Sequence, residues 1–259
     1  VDTIHDFMKP LGFGQITGID LPGEVRGILP STEWKRHYYK RPEQQKWFGG
    51  ETISLGIGQG YNNFTMLQLA SATATLASGG LKYTPRVVKA TQDALTHAQS
   101  PTSDAAPVNL GYNPDHIAVV RNGLIGVATS GTSAQVFAGA AYQSAGKTGT
   151  AQAVTIGQKE KYNASKMSEY QRDHALYMAF APAESPQIAL ALVVENAGFG
   201  AVSAAPIARR VFDYWLQGQY PSEADMLATQ QGQSSRPIGT PRAKQDIVLD
   251  AKKNSDGLR

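Results

Sequence analysis

Two apolar segments joined by a short turn constrain the fold more than any other part of this sequence. Ile188–Val194, with the sequence IALALVV, is a nearly continuous apolar run, which is typical of a strand buried on both faces. Residues 174–180 form a second apolar segment, and the link between the two, APAESP, contains two prolines that favour a turn. This spacing predicts an antiparallel hairpin at the centre of a sheet.

A Lys-Thr-Gly sequence, Lys147 to Gly149, is followed by Thr150 and lies on another predicted strand, around residues 142–154. Lys147 offers a fixed cation and Thr148 a hydroxyl donor, and together they suit a carboxylate. Gly149 has no side chain, so a substrate backbone can lie close to it. A glycine-containing turn between two short strands also agrees with these residues alone, so the surrounding sequence has to decide.

Several other segments occur in an order and spacing that resemble one family. They are residues 17–24 (TGIDLPGE), 56–61 (GIGQGY), 162–164 (YNA) and 172–174 (RDH) with 179–182 (AFAP). Together with the K-T-G strand they resemble the class B penicillin-binding proteins over residues 1–218. Within that family, the last two segments look most like the elongation transpeptidases of Gram-negative bacteria.

This resemblance implies an α/β (α+β) fold with an antiparallel central sheet flanked by helices on both faces. The family's sheet has five strands, and two of them precede the helix that bears the nucleophile. Three core strands are then expected here, around residues 142–154, 174–181 and 187–195, with the K-T-G strand at the edge beside the cleft. A helix is predicted over residues 64–77, with Asn63 or Thr65 as its N-cap. The apolar faces of the strands and of this helix are expected to be incompletely covered.

The resemblance also implies a function. Class B proteins are D,D-transpeptidases that cross-link peptidoglycan through a serine acyl-enzyme, and β-lactams acylate them. Carried over by motif, Lys147 would polarise the serine of an S-x-N motif and help to neutralise the substrate carboxylate. The hydroxyls of Thr148 and Thr150 would bind that carboxylate beside Gly149, and the Thr150 N–H would be one oxyanion-hole donor.

The implied partners are peptidoglycan stem peptides, as D-Ala-D-Ala donors and as amine acceptors, together with β-lactams. A RodA-type glycosyltransferase and other elongation-complex proteins are implied as well. The implied location is the periplasmic face of the inner membrane. The implied mechanism requires no metal or organic cofactor.

The chain departs from the family pattern at the nucleophile. It contains no S-x-N, and its only S-x-x-K runs from Ser144 to Lys147, whose lysine is that of K-T-G. Because Ser144 lies on a predicted strand, we interpret this match as accidental. We therefore expect no nucleophile in this chain, and a partial domain: residues 1–218 as the C-terminal part of the transpeptidase domain, inactive alone, and 219–259 as a disordered tail.

Three other interpretations remain open at this stage. Another serine acyl-enzyme, a β-lactamase or a β-lactam sensor, would also carry K-T-G. A non-catalytic binding or scaffold piece would explain the missing nucleophile. A generic α/β domain with a chance K-T-G would explain the motif alone.

Composition excludes several classes of function. The net charge is only +3, from 24 basic and 21 acidic residues, and the charges are scattered, so no nucleic-acid partner is expected. There is no cysteine, which excludes disulfides and thiolate metal sites within these residues, and no metal site is expected.

The remaining patterns predict helices with specific buried faces. Residues 1–9 read as the end of a helix, Asn113 as the N-cap of another, and residues 203–216 as a closing helix. The inward residues are expected to be Ile117, Val120, Leu124 and Val127 on the second helix, and Ile207, Val211, Phe212 and Trp215 on the third.

The other segments are expected to be strand or loop. Residues 83–90 resemble an edge strand, and residues 14–50 a long irregular excursion. The aromatic residues of this excursion are interpreted either as a satellite core or as a partner-facing surface, and we favour the satellite core. Gln59, in a glycine-rich loop, is interpreted either as a ligand contact or as loop scaffolding. For His174 and Glu195 we favour structural roles over catalytic ones.

Overall fold

The computed structural model describes residues 1–102, 105–154, 167–231, 233 and 235–243. Their helices are α1 Asp2–Met8, α2 Thr32–Tyr38, α3 Pro42–Gln45, α4 Gly49–Gly56, α5 Met66–Ala77, α6 Pro114–Thr129, α7 Ala134–Phe137, α8 Gly200–Ser203, α9 Ala205–Gln217 and α10 Glu223–Gln230. Their strands are β1 Leu81–Lys82, β2 Ala90–Gln92, β3 Gln99–Pro101, β4 Val108–Asn109, β5 Ala145–Ala151, β6 His174–Ala181, β7 Ile188–Val194, β8 Gln219–Tyr220 and β9 Arg242–Ala243.

The main sheet is antiparallel, with the order β5-β6-β7. The predicted hairpin is confirmed, because β6 pairs with β7 with Ala179 opposite Leu190. On its other side β6 pairs with β5, with Lys147 opposite Met178. Among the described residues β5 is therefore an edge strand, as predicted for the strand that carries K-T-G.

Helices cover both faces of this sheet, as the predicted fold class requires. Alternate residues of β6, including Tyr177 and Ala179, are buried against α9, because successive side chains of a strand point to opposite faces. Phe180 is buried on the other face with Ala77 of α5, and Leu124 of α6 packs beside them. The sheet thus lies between two hydrophobic cores, and β6 contributes side chains to both.

The closing helix α9 approaches the sheet through small side chains rather than through the predicted apolar stripe. Phe212 is fully buried, as predicted, and Ala205 and Ala208 are fully buried beside it. Three other residues of the predicted stripe are 36% to 61% exposed: Ile207, Val211 and Trp215. The prediction that these three point inward is wrong, since alanine lets the helix backbone lie closer to the sheet on a different face.

A buried ion pair helps to set that face. Arg209 and Asp213, one turn apart on α9, are both buried, and Arg209 Nε lies 2.9 Å from Asp213 Oδ1. Arg209 also donates to the carbonyl of Val136 at 3.0 Å, and the Tyr142 hydroxyl donates to Asp213 at 2.8 Å. Burial raises the pKa of Tyr142, and the charge of Asp213 raises it further. This hydroxyl therefore remains protonated and acts as a donor.

The N-terminal half contains more helix than the sequence predicted. The segment 14–50 includes α2, α3 and the start of α4, and Ser31 caps α2 by accepting the Trp34 N–H at 2.9 Å. The edge strand predicted over residues 83–90 is wrong. The N–H groups of Val87 and Val88 donate to the Asp20 carboxylate at 2.7 and 2.8 Å. A loop carboxylate, rather than a neighbouring strand, therefore binds these amides.

The N-caps of α5 and α6 are Thr65 and Asn113, both predicted candidates. On α6, Ile117 is buried, whereas Val120 is 48% exposed. Between α1, α5, α6 and Met178 of β6 lies a cavity of about 390 Å³ with almost entirely apolar walls. The apolar faces on this side are incompletely covered, as the sequence predicted.

The structure differs from the predicted disordered tail over the described part of residues 219–243. Asp225 on α10 is 1% exposed, and it accepts hydrogen bonds from Arg210 Nε and Nη2 at 2.9 and 2.5 Å. Ser222 caps α10 by accepting the Asp225 N–H. This ion pair attaches the segment to α9, which its polar composition did not reveal; residues 244–259 lie outside the described residues. None of the described helices is long and apolar enough to cross a bilayer.

The two faces of α9 should respond differently to truncation. We expect Phe212→Ala to lower the free energy of unfolding by about 3 to 5 kcal/mol, because it leaves a cavity between the sheet and α7. Trp215→Ala should cost no more than about 1 kcal/mol, because that ring is 61% exposed. Urea unfolding of this chain measures both, and equal losses would contradict the observed orientation of α9.

Candidate carboxylate-binding site on an edge strand

Strand β5 presents alternate peptide groups to the open edge of the sheet. The Thr150 carbonyl accepts a hydrogen bond from Gln59 Nε2 at 2.9 Å, and the Thr148 carbonyl accepts one from Lys147 Nζ at 2.7 Å. In an antiparallel strand the N–H and C=O of one residue point to the same side. The N–H groups of Thr148 and Thr150 therefore also face the edge, where an extended substrate backbone could pair with them.

A cation and two hydroxyls lie together at this edge. The Lys147 side chain is exposed, and Thr148 Oγ1 lies 3.0 Å from Thr132 Oγ1, in the turn between α6 and α7. Sequence reasoning missed Thr132, because no local pattern relates residues 129–134 to the K-T-G strand. The hydroxyl-rich sequence TSGTS was the available signal. Together these groups can bind a carboxylate through one charge and two donors.

The backbone of β5 is approached closely from within the fold at Gly149. A Cβ at Gly200, the first residue of α8, would lie 2.8 Å from the Gly149 carbonyl oxygen and 2.1 Å from that of Leu176. The backbone of α8 therefore packs directly on β5 beside the site. Among the described residues, a Cβ at Gly149 itself would meet only the Leu176 Cβ within 4 Å, at 3.3 Å. The interpretation that a substrate backbone lies close to Gly149 stays a prediction.

Gln59 links the site to the N-terminal half of the chain. Its loop follows α4, and the Gln59 N–H donates to the Ser54 carbonyl at 2.9 Å. Gly58 and Gly60 on either side have φ of +81° and +72°, a conformation that glycine adopts without strain. Of the two interpretations left open by the sequence, this contact with the Thr150 carbonyl favours scaffolding.

A buried lysine holds that loop from behind. Lys35 is 2% exposed and pairs with Glu51 at the start of α4, and it also donates to the Lys46 carbonyl at 2.8 Å. The Tyr61 hydroxyl donates to the same Glu51 oxygen at 2.8 Å. The rings of Trp47, Phe48 and Tyr61 lie 5.2 to 5.5 Å from the Lys35 ammonium, within the range of a cation–π interaction.

The aromatic residues of the segment 14–50 pack as predicted, around Tyr61. Trp34 and Trp47 lie 5.2 and 6.0 Å from the Tyr61 ring, measured between centroids. Tyr38 stacks on Trp34 at 4.9 Å but remains 59% exposed. The cluster is therefore a satellite core with an open outer side.

Glu51 remains ionised in this cluster. Burial raises its pKa, but hydrogen bonds from Lys35, the Phe48 N–H and Tyr61 outweigh burial, so the net pKa lies below the ordinary value. Burial also raises the pKa of Tyr61, and hydrogen bonds with Tyr39 and Glu51 add to this. The ion pair is thus intact at neutral pH.

Ser144 does not share the surface of Lys147. Ser144 is 2% exposed and its Oγ is buried, whereas the Lys147 side chain is exposed. This favours the interpretation that the S-x-x-K match is accidental. His174 makes a structural hydrogen bond, since its Nδ1 accepts the Asn196 N–H at 3.0 Å, and Glu195 is exposed at the end of β7.

The part of the chain that the structure describes contains no group of three or more His, Cys, Asp or Glu residues that could hold a metal ion. Of the segments that carried the family resemblance, residues 162–164 lie outside the described residues.

Residues 1–213 match the family model described as the penicillin-binding protein transpeptidase domain. The chain therefore belongs to this family of transpeptidase domains.

Particular relatives agree with the predicted class B resemblance. The chain is 43% identical over 216 residues to the peptidoglycan D,D-transpeptidase MrdA of Acinetobacter baumannii, and 35% identical over 223 residues to that of Escherichia coli K12. The matches cover 83% and 84% of this chain but 31% and 34% of the relatives. The chain thus spans about a third of the length of these curated relatives.

Solved structures give the same result. The complex of Pseudomonas aeruginosa PBP2 with WCK 5153 has a TM-score of 0.67 and 38% identity, over 84% of this chain and 44% of that chain. The complex of PBP2 with MreC from Helicobacter pylori has a TM-score of 0.64 and 27% identity, over 83% and 36%. The predicted resemblance to class B penicillin-binding proteins, and to penicillin-binding protein 2 among them, is confirmed.

The ion pair behind the loop should make stability depend on acid pH. Because the pKa of Glu51 is lowered on folding, Glu51 contributes stability that is complete above its unfolded value of 4.5 and is lost as the pH falls through the folded value. We expect Glu51→Gln to lower the free energy of unfolding at pH 7 by about 2 kcal/mol and to make its decline below pH 4.5 shallower.

The matched control is Glu33→Gln, which changes an exposed carboxylate on α2. Urea unfolding at several values between pH 7 and pH 3 measures the effect. A Glu51→Gln profile that runs parallel to those of the wild type and of Glu33→Gln would show that this carboxylate is not tied to Lys35 in solution.

Proposed function

We propose that this chain supplies the carboxylate-binding side of the active site in a peptidoglycan D,D-transpeptidase of cell elongation, which works through a serine acyl-enzyme. The observation that carries the proposal is the edge of β5. It presents Lys147, the Thr148 hydroxyl and two outward N–H groups, in a chain whose relatives are named peptidoglycan D,D-transpeptidases.

The substrate that suits this edge is a peptide ending in D-Ala-D-Ala. Lys147 and the hydroxyls of Thr148 and Thr150 bind its terminal carboxylate, and Thr132 orients the Thr148 hydroxyl at 3.0 Å. The peptide backbone lies along β5 and pairs with the outward N–H groups of Thr148 and Thr150. Because these hydrogen bonds join backbone groups, they contribute affinity that does not depend on the side chains of the peptide.

The chemistry needs a serine from outside these residues. Its Oγ attacks the carbonyl carbon of the penultimate D-Ala and forms a tetrahedral oxyanion. The Thr150 N–H donates to that oxygen, together with a second donor from the nucleophile's own segment. The C–N bond then breaks, D-Ala leaves with a proton on its nitrogen, and the peptide remains as a serine ester.

The second half-reaction transfers the peptide. An amine of a neighbouring stem peptide attacks the ester carbonyl, an amide forms, and the serine oxygen recovers its proton. A β-lactam enters the same site through its own carboxylate, and its ring nitrogen is the leaving group. Since that nitrogen stays attached after the ring opens, the serine ester persists and the enzyme is inhibited.

The partners proposed for the whole protein follow from its relatives. One similar solved structure is PBP2 with MreC, and another is described as a peptidoglycan synthase complex that coordinates polymerisation and cross-linking, at 29% identity and a TM-score of 0.64. These support a RodA-type glycosyltransferase and elongation-complex proteins as partners. Peptidoglycan lies outside the inner membrane, so we propose that the domain acts at its periplasmic face.

Lys147 is the most direct test of this function. In a complete transpeptidase domain that contains this chain, we expect Lys147→Ala to lower acylation by a fluorescent penicillin at least a hundredfold, because the carboxylate loses its cation. Its thermal midpoint should change little, because the side chain is exposed. The control is Lys40→Ala, which removes another exposed lysine; wild-type labelling by the Lys147 variant would refute the assignment.

The 259-residue chain by itself should not be acylated. It has no eligible S-x-x-K, and Ser144 Oγ is buried. We expect no covalent fluorescent label after denaturation, under conditions in which the complete domain is labelled. Label mapped by mass spectrometry to any serine of this chain would overturn the proposal that the nucleophile lies elsewhere.

A further inference from the structure

The contact between Gln59 and β5 joins two parts of the chain that are 91 residues apart in sequence. Gln59 Nε2 donates to the Thr150 carbonyl at 2.9 Å, at the open edge of the sheet. The proposed function assigns the Thr150 N–H to the oxyanion, and the structure gives the carbonyl of the same residue a partner from within the chain. A carbonyl at a sheet edge would ordinarily bind water or another strand, and here a side chain from a separate loop binds it.

The backbone of the loop that carries Gln59 is held against α4. Gly58 N–H donates to the Leu55 carbonyl, and Gln59 N–H to the Ser54 carbonyl, both at 2.9 Å, so the loop folds back onto the end of α4. A Cβ at Gly60 would lie 3.2 Å from the Ser54 Cβ, so this return has little spare room. The backbone on either side of the glutamine therefore has few alternative positions.

The same loop is fixed beyond Gln59 as well. The Tyr61 hydroxyl donates to Glu51, which pairs with the buried Lys35. Asn63 exchanges two backbone hydrogen bonds with Ile28, at 2.6 and 3.1 Å. A chain of contacts thus runs from α2 through the start of α4 to the loop, and Gln59 carries it to β5.

Holding the Thr150 carbonyl also orients the Thr150 N–H. The two groups flank the same Cα and point to the same side of an antiparallel strand. A rotation of the peptide plane that contains the carbonyl therefore also displaces the N–H group. An oxyanion-hole donor acts only within about 2.7 to 3.1 Å of the developing charge. A small twist of an unsupported edge strand is enough to move it out of that range.

We propose that Gln59 is a positioning residue for acylation, which fixes the edge of β5 so that the Thr150 N–H meets the oxyanion. This inference rests on the proposed transpeptidase function. Gln59 acts through Thr150 rather than on the reacting atoms. Its loss should therefore slow the chemical step and leave recognition of the carboxylate, by Lys147 and Thr148, nearly unchanged.

The test separates binding from chemistry in a complete transpeptidase domain. Stopped-flow acylation by a fluorescent penicillin gives the non-covalent dissociation constant and the first-order acylation rate constant. Removing an oxyanion donor costs about a hundredfold to a thousandfold. For a donor that is displaced but present, we expect Gln59→Met to lower the rate constant about tenfold and to change the dissociation constant less than about twofold.

The matched control is Gln45→Met. Gln45 Nε2 also donates to a backbone carbonyl at 2.9 Å, but this carbonyl is that of Tyr39 and not one of β5. This variant should keep the wild-type acylation rate constant. Gln59→Glu provides a second variant of nearly the same size, which places an acceptor opposite the Thr150 carbonyl, and it should lower the rate constant at least as much as Gln59→Met.

The outcomes are distinct. A wild-type domain that is not acylated overturns the proposed function, and this inference with it. Normal acylation of the wild type with an unchanged rate constant in either Gln59 variant overturns this inference alone. A parallel weakening of binding and rate, together with a lower thermal midpoint, also overturns it, because it shows that Gln59 only stabilises the fold.

Discussion

Strand β6 is the element on which the rest of the structure depends, because it is paired on both sides and packed on both faces. It hydrogen-bonds to β5 and β7, and its alternate side chains enter two different cores, with Tyr177 on the side of α9 and Phe180 on the side of α5. A shift of one residue would exchange the two faces and move Lys147 away from Met178. Burial on both faces makes that shift unfavourable, so the position of the K-T-G residues is fixed by packing far from the site itself.

The edge of β5 is open to pairing with another backbone, and neighbouring groups hold it in place. Exposed strand edges pair readily with other chains. In the proposed function, the edge of β5 pairs in this way with the backbone of a substrate peptide. It is held on either side by hydroxyl and amide groups from separate elements, Thr132 beside Thr148 and Gln59 beside Thr150. The strand can therefore present outward N–H groups without losing its geometry.

The buried lysine explains why the long N-terminal excursion is ordered. A buried ion pair adds little net stability, because desolvation offsets attraction, but it strongly disfavours arrangements that leave one charge alone. Lys35 finds Glu51, the Lys46 carbonyl and three aromatic rings only when α2, α4 and the loop at Tyr61 are together. The cluster thus selects one arrangement of the segment that carries Gln59.

The sequence by itself determined the elements whose patterns are local. The hairpin of β6 and β7, the caps at Thr65 and Asn113 and the K-T-G strand follow from neighbouring residues, and the family resemblance follows from the order and spacing of short segments. Only the tertiary structure decided the inward face of α9, the Asp225 anchor of α10, and the meeting of Thr132 and Gln59 with β5. Each of these depends on a hydrogen bond or an ion pair between residues distant in sequence, except for the i,i+4 pair of Arg209 and Asp213. Composition and periodicity show which side chains are apolar. They do not show which distant group a polar side chain contacts, and contacts of that kind decided these features.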